Sequence, residues 1–271
     1  MEAALKVVSF NLKRATRFHT HHSWFNRRDL VAQLIRDSGA AIVGVQEMLP
    51  AMKEDMRQRL ADYSVFGWGR TKKMADEHSA ILVHDPEFGA VSDTTIWLSK
   101  HPEKRGSRAY FAMFPRICTI CEMYSKEAGR KIRVFNTHFD HICGPARTLG
   151  VRIILEYMHR YNVREKLPTI LMGDLNARPG SKAVRILTEN LHPYADIHLT
   201  SIYSRFEKEN IHNTYHGFRG TCRGRRPIDY IFVSDDFQIE DAYLDTTSRD
   251  GRYPSDHFPL VAVLGIRPKA V

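Results

Sequence analysis

Short apolar runs alternate with helical spacing along the first part of the chain. Residues 5–10 and 41–45 read as buried strands. Between them Leu30, Leu34 and Ile35 recur at helical spacing and predict an amphipathic helix over about 27–37, stopped by Gly39. A second helix is predicted over 50–60, with Pro50 in the first turn, where its missing N–H leaves no bond unmade. From about 63 to 138 the pattern changes to strands, at 63–68, 80–84, 94–98, 114–123 and 132–137, divided by turn-like stretches. A long helix follows over about 146–161, then a buried strand at 169–172 and a short helix at 182–187. Strands return at 230–233, 239–244 and 260–264. The mixture predicts an α/β protein in which a mixed sheet, or two packed sheets, carries helices on the outside.

Composition changes this picture little. The 271 residues are 43% hydrophobic and 26% charged, an ordinary globular balance. No Pro/Gly/Ser-rich linker divides them, so one domain over residues 1–271 is expected. The first residues lack the basic region and apolar core of a signal peptide. No run approaches the roughly 18 apolar residues of a membrane span. A cytoplasmic monomer is the expectation.

Charge and cysteines narrow the chemistry. Forty Lys and Arg against 31 Asp and Glu give a net charge of +9. A field of that sign draws in phosphorylated substrates, nucleic acid or an acidic membrane surface, though a basic surface alone explains it equally well. Cys118 and Cys121 have C-x-x-C spacing but fall in a predicted strand. Positions three apart on a strand face opposite sides of the sheet, so the two sulfurs cannot share a ligand. Buried, reduced thiols in a reducing compartment are expected.

The informative residues stand at strand tips. The first strand ends in Ser9-Phe10-Asn11 and the second in Gln46-Glu47. The strand at 132–137 runs into Asn136-Thr137-His138, and that at 169–172 into Gly173-Asp174-Leu175-Asn176. Two further clusters precede strands: Asp229 opens Tyr230-Ile231-Phe232-Val233, and Ser255-Asp256-His257 leads into 260–264. Singly, each reads as turn or cap chemistry. In a sheet with antiparallel neighbours, however, the end of one strand and the start of the next share a rim, and all these clusters can meet there. Crowded carboxylates need a cation or a proton to offset their repulsion. Carboxylate and amide oxygens are hard ligands that suit Mg²⁺ or Mn²⁺ better than zinc. Such an ion neutralises phosphate charge, while an ionised carboxylate orients or deprotonates water and a His polarised by another carboxylate bonds phosphoryl oxygens.

Taken together, Ser9-Phe10-Asn11, Gly44-Val45-Gln46-Glu47, Asn136-Thr137-His138, Gly173-Asp174-Leu175-Asn176, Ile228-Asp229-Tyr230-Ile231 and Ser255-Asp256-His257 resemble, in order, the blocks of the endonuclease/exonuclease/phosphatase superfamily. That superfamily includes pancreatic-type deoxyribonuclease, apurinic endonucleases, neutral sphingomyelinases, inositol polyphosphate 5-phosphatases and deadenylases. The resemblance implies a four-layer α/β sandwich, two packed mixed β-sheets flanked by helices, with the active site at one edge. By position it implies Glu47 as principal metal ligand, helped by Asn11 and Asp256. Asp174 would orient or deprotonate the attacking water, and Asn176 would contact phosphate. His257 would contact phosphoryl oxygens with Asp229 orienting it, and His138 would be the second active-site histidine. Glu77 aligns as the carboxylate partner of His138, and Arg116 as a phosphate contact. The stretches 136–141 and 213–218 look like the bacterial branch akin to the deadenylases. Apurinic endonucleases carry an acidic metal ligand two residues after the first Asn; here that position is Lys13, which argues against abasic-site repair and for one metal ion.

The expected function is therefore Mg²⁺/Mn²⁺-dependent hydrolysis of phosphodiesters in nucleic acid or nucleotides, with a phosphomonoesterase on a sugar phosphate or similar small metabolite as the alternative. The loop 219–226, with Arg219, Arg223, Arg225 and Arg226 just before Asp229, reads as a phosphate-gripping lip or as a solvated basic loop. A lip suits nucleic acid, and an inositol or sugar phosphate almost as well. His19-Thr20-His21-His22 reads as an exposed loop near the site mouth. Trp24, Phe25, Trp68 and Trp97 could stack on a base, but such aromatics are mostly core.

Overall fold

Two βαβ crossovers, one in each of two sheets, organise the chain. The computed structural model describes residues 4–16, 21–221, 224 and 226–267. Strand β1 (Ala4–Asn11) leads through α1 (Trp24–Ser38) to a parallel β2 (Ile42–Met48). Further on, β7 (Arg130–His138) leads through α3 (Gly144–Arg164) to a parallel β8 (Thr169–Asp174). Parallel neighbours require such long crossovers, and the helices they carry cover the sheet faces. The other elements are α2 (Pro50–Arg59), β3 (Tyr63–Phe66), β4 (His78–His84), β5 (Phe88–Trp97), β6 (Ile117–Ser125), α4 (Lys182–Thr188), β9 (Leu199–Ser201), β10 (Asp229–Ser234), β11 (Phe237–Leu244) and β12 (Leu260–Ile266).

The strand orders are β11-β12-β1-β2-β4-β3 and β5-β6-β7-β8-β10-β9. Three buried clusters show how the layers stack. One joins α1 and α2 to the first sheet, through Val31, Ile35, Met52 and Met56 against Val8, Val43 and Leu82. A second fills the space between the sheets, with Val7, Ile42 and Leu264 meeting Val134, Ile170 and Ile231. The third packs α3 and α4 on the outer face of the second sheet, through Ile154, Met158 and Leu187 against Ile120, Phe135 and Leu171. The protein is a four-layer α/β sandwich.

Most boundaries lie close to those the apolar pattern predicts, and Gly39 ends α1 in the left-handed conformation (φ 60°) expected of a stop glycine. Strand β5 begins at Phe88, well before the predicted 94, because Ser92, Asp93 and Thr94 are exposed on an edge strand and give no apolar run. Strand β9 pairs with β10 over Leu199, Thr200 and Ser201, too short a stretch to show a period. Cys118 belongs to the outer cluster and Cys121 to the inter-sheet cluster, so the C-x-x-C sulfurs do face opposite sides of β6. Among the described residues no helix is long and apolar enough to cross a membrane.

A polar bolt crosses the dry space between the sheets, one step below the rim. The Asn136 amide donates to the carbonyls of Val45 (2.9 Å) and Ala80 (2.7 Å) and accepts from Gln46 Nε2 at 2.7 Å. Gly44 makes this approach possible, since a Cβ there would stand 2.9 Å from Asn136 Oδ1 and 2.4 Å from Met172 Sδ. Asn136 is fully buried, so Asn136→Ala strands two carbonyls and the Gln46 amide away from water. A loss of about 3 kcal/mol is expected, read as a lowered denaturation midpoint with unchanged m-value.

Candidate active site

The strand pairing brings the polar tips to one rim. Asp174, last in β8, lies opposite His138 of parallel β7 and opposite Asp229, first in antiparallel β10. In the other sheet Asn11 pairs with Gln46 in β1–β2, and Ser9 with Leu260 of β12, which places Asp256 and His257 just beyond the same edge. Pairing between β2 and β4 is irregular between Val45 and Met48, and there Glu47 takes φ 60°. Asn176 (φ 45°) and Lys13 (φ 55°) are also left-handed. Non-glycine residues in that region cost about 1–3 kcal/mol each and persist where the surroundings dictate them.

These residues surround a cavity of about 500 Å³, lined among others by Glu47, Glu77, Arg116, His138, Asp174, Asn176, Asp256 and His257. Asn11 and Asp229 stand behind it. The Asn11 amide donates to Asp174 Oδ2 at 3.0 Å and to Glu47 Oε1 at 3.2 Å, while its oxygen accepts the Lys13 N–H at 3.0 Å. Asn11 thus links the Asp174 and Glu47 carboxylates through one amide. Glu47 Oε2 accepts the Arg14 N–H at 2.8 Å. Burial pushes the Glu47 carboxyl up, but the Arg14 N–H, Lys13, His257 and Asn11 together hold it below the ordinary value. Lys13 Nζ lies 3.2 Å from Asp256 Oδ2.

The two histidines are tuned in opposite senses. His257 Nδ1 donates to Asp229 Oδ2 at 2.9 Å, and its Nε2 lies 3.9 Å from Asp174 Oδ2. Burial lowers its pKa, but Asp229, by charge and hydrogen bond, with Asp174 and Asp256, raises it to about 10. His138 Nε2 accepts from Asn176 Nδ2 at 2.9 Å; that amide nitrogen also donates to the Phe139 carbonyl at 3.1 Å. Burial, then Arg116 and Arg70, hold His138 well below 6.5, so it is neutral, with its proton on Nδ1 facing Glu77 Oε2 at 3.9 Å. Asp174 is raised by burial and by Asp229, against His257, the Asn176 N–H and Asn11. Environments that drive neighbouring groups apart in this way divide acid and base roles between them.

Glu77 is the hub of one wall. It receives both nitrogens of Arg70 (2.8 and 3.1 Å) and Arg14 NH1 at 2.6 Å, with Arg116 NH1 at 4.0 Å. Burial nevertheless keeps its carboxyl above the ordinary value, despite Arg70, Arg116 and Arg14. Arg14 and Arg70 line the cavity with Phe114, His141 and Tyr215, none of which the strand-tip pattern singles out. Arg14 follows the Asn11 tip by one turn of chain, a usable signal; Arg70 sits in an irregular stretch that offers none. Arg27 is a further structural contributor: buried, it donates to the carbonyls of His22, Leu12, Lys13 and Pro254, tying the chain after Asn11 to the segment before Asp256.

Of the basic loop, Arg219 and Arg226 are exposed and do not line the cavity; Arg223 and Arg225 lie outside the described residues. His19 and Thr20 also lie outside them, while His21 and His22 are exposed and His22 stacks on Phe218 at 4.1 Å. Trp24 and Trp97 are core, whereas Phe25 and Trp68 are exposed.

The donor set suits a hard divalent ion. Among the described residues, Asp174, Asp229 and His257 offer ligand atoms within 4.8 Å of one another. His257 Nδ1 is bonded to Asp229 Oδ2 at 2.9 Å and that carboxylate raises its pKa, which ties the trio together as an ion-paired relay. The ionised Glu47 carboxylate and Asp256, both on the cavity wall, are the oxygen donors that fit.

A sandwich with carboxylates, amides and opposed histidines at one rim defines a phosphoesterase-type fold and site. The chain belongs to the endonuclease/exonuclease/phosphatase family, whose model matches residues 8–257 and whose members are hydrolases acting on phosphate esters. It is similar to the crystal structure of a family member from Bacteroides thetaiotaomicron, 28% identical, with 99% of this chain and 100% of that one covered at a TM-score of 0.86. A mannosyl-6-phosphatase of Bacteroides thetaiotaomicron is 29% identical, with 96% and 99% covered at a TM-score of 0.84. An uncharacterised protein of Acanthamoeba polyphaga mimivirus is 30% identical over 151 residues, which span 50% of this chain and 54% of that relative.

At neutral pH the imidazole resonances should show His257 protonated and His138 neutral. In an NMR titration of the metal-free protein, His257 is expected to lose its proton near pH 10. Asp229→Asn removes the carboxylate that raises it most, so the transition should fall by at least about two units. A His257 that titrates near 6.5 in the wild type would refute the assignment.

Proposed function

We propose that the protein is a Mg²⁺- or Mn²⁺-dependent phosphoesterase that removes the phosphoryl group from a small phosphorylated molecule. The observation that carries this reading is the distribution of arginine. Arg14, Arg70 and Arg116 stand on the wall of a cavity of about 500 Å³, whereas the described arginines of the 219–226 loop point to solvent. A space of that size suits a metabolite-sized ligand. The full-length likeness to a mannosyl-6-phosphatase supports the same substrate class.

In this reading Glu47 and Asp256 would hold the ion, and Asn11 orients the Glu47 carboxylate. When bound, the ion would supply neutralisation of the negative charge that builds during phosphoryl transfer. Asp174, buried and beside Asp229, takes a proton from the attacking water as its oxygen bonds to phosphorus and the ester P–O bond breaks. The departing alkoxide takes up a proton from solvent and leaves as the alcohol. The His257 imidazolium, kept charged by Asp229, and the Asn176 amide bond the phosphoryl oxygens as negative charge gathers on them. Neutral His138 fixes the Asn176 amide through the bond at its Nε2. Arg14 and Arg116 face the oxygens that a monoester leaves unesterified, while Arg70 stays bonded to Glu77 and Asp76 and holds that wall in place.

The second reading, a phosphodiesterase on nucleic acid, is favoured by the net charge of +9 and the basic loop. Hydrolysis of p-nitrophenyl phosphate and its bis ester, followed by sugar phosphates and oligonucleotides with Mg²⁺, Mn²⁺ or EDTA, separates the two. Phosphate released from monoesters with the polymers untouched is the expected result. Cleaved oligonucleotides beside intact sugar phosphates would establish the second reading instead. In either case Asp174→Ala should lower kcat by about a thousandfold or more while the protein stays folded. Near-wild-type turnover in that variant would remove Asp174 from proton abstraction.

A further inference from the structure

Exposed apolar side chains gather beside the cavity mouth. The segment joining β5 to β6 carries Tyr110 (53% exposed), Phe111 (97%), Met113 (60%) and Phe114 (36%). The segment is anchored. Ala109 and Ala112 bury against Ala146 of α3, with Cys143 and Leu149 packed on them, and Ala112 N–H donates to the Ala109 carbonyl at 2.8 Å. Phe114 reaches the cavity wall and lies under Arg70, 4.6 Å from ring centroid to guanidinium. Ile142, 66% exposed, immediately precedes Cys143 on the turn that also gives His141 to the cavity. Isolated exposed apolar residues are ordinary; a cluster held on a fixed support at a site mouth is not.

The surroundings of this knob are cationic. Lys100 Nζ stands 5.8 Å from the Tyr110 ring, and Arg108 NH1 donates to the Met113 carbonyl at 3.2 Å. Tyr110 also borders a hollow of about 390 Å³ with Arg147, Arg152 and Lys182 on its walls. Between residues 99 and 116 the single acidic residue is Glu103, and between 141 and 153 there is none. An apolar tip with a basic collar is the arrangement that seats a protein on an anionic bilayer, the tip entering the headgroup region and the collar meeting lipid phosphates and carboxylates. Aliphatic Met113 and Ile142 favour lipid over stacked nucleic-acid bases, which want flat rings. The positive collar likewise opposes a second copy of the same surface.

We propose that the knob formed by Tyr110, Phe111, Met113 and Ile142 docks the protein on an anionic lipid surface, with the catalytic cavity opening at that surface. The proposal does not depend on which phosphate ester is cut. The test is cosedimentation of the full chain with vesicles of phosphatidylcholine alone and of phosphatidylcholine mixed equally with phosphatidylserine, at low and high salt. Binding to the mixed vesicles, weakened by salt and absent from phosphatidylcholine alone, is expected. The exposed double variant Phe111→Ser with Met113→Ser should bind them at least about tenfold more weakly, with p-nitrophenyl phosphate hydrolysis and melting temperature unchanged. Arg108→Glu should lose binding in the same direction. No binding by the wild type, or equal binding by the double variant, overturns the proposal. Two other outcomes would reassign the knob: loss in the double variant of single-stranded oligonucleotide binding, or of a dimer seen by light scattering, with vesicles unbound throughout.

Discussion

The sheet ladder forces two buried carboxylates together. Asp174 and Asp229 are Cα partners across β8 and β10, each about 1% exposed, and Glu47 and Asp256 approach from the other sheet. Gathering negative charge in a dry place is unfavourable unless positive charge or hydrogen-bond donors meet it. The rest of the rim supplies both. Asn11 and the Asn176 N–H bond Asp174, the Arg14 N–H bonds Glu47, and Lys13 lies on Asp256. The His257 imidazolium sits on Asp229. Carboxylate charge that these donors do not offset favours a cation at the rim.

Holding this arrangement takes structure well away from the reacting atoms. The Asn136–Gln46 bolt fixes how closely the sheets approach below the rim, and Gly44 leaves room for it. Arg27 fixes the spacing between the chain after Asn11 and the segment before Asp256 through its carbonyl contacts. Left-handed backbone at Lys13, Glu47 and Asn176 is the local cost of turning side chains toward a common centre, and rigid layers on both sides sustain it. A scaffold of this kind preorganises dipoles and charges before substrate arrives, which is where electrostatic catalysis draws its strength.

The rim was legible in the sequence because apolar strands announce their own ends. Asn11, Glu47, His138, Asp174, Asp229 and His257 interrupt or abut runs that are otherwise Val, Ile, Leu and Phe, and their order matches a known set of blocks. Residues outside such runs carried no comparable mark. Arg70 reaches Glu77 from an irregular loop, and its role depends on a fold that places residues 70, 77, 114 and 116 on one wall. The basic loop is conspicuous in composition, yet its described arginines face solvent. Edge strand β5 was half hidden for a related reason: one of its sides meets no partner strand, so polar residues are tolerated there.

Metal binding at Glu47 is open to direct titration. Calorimetric titration of Mg²⁺ and Mn²⁺ into the wild type should show one site per chain. In Glu47→Gln, which keeps the shape and removes the charge, affinity should fall by at least about tenfold. Equal affinity in the two proteins, or no binding to the wild type, would contradict a hard-cation site built on Glu47.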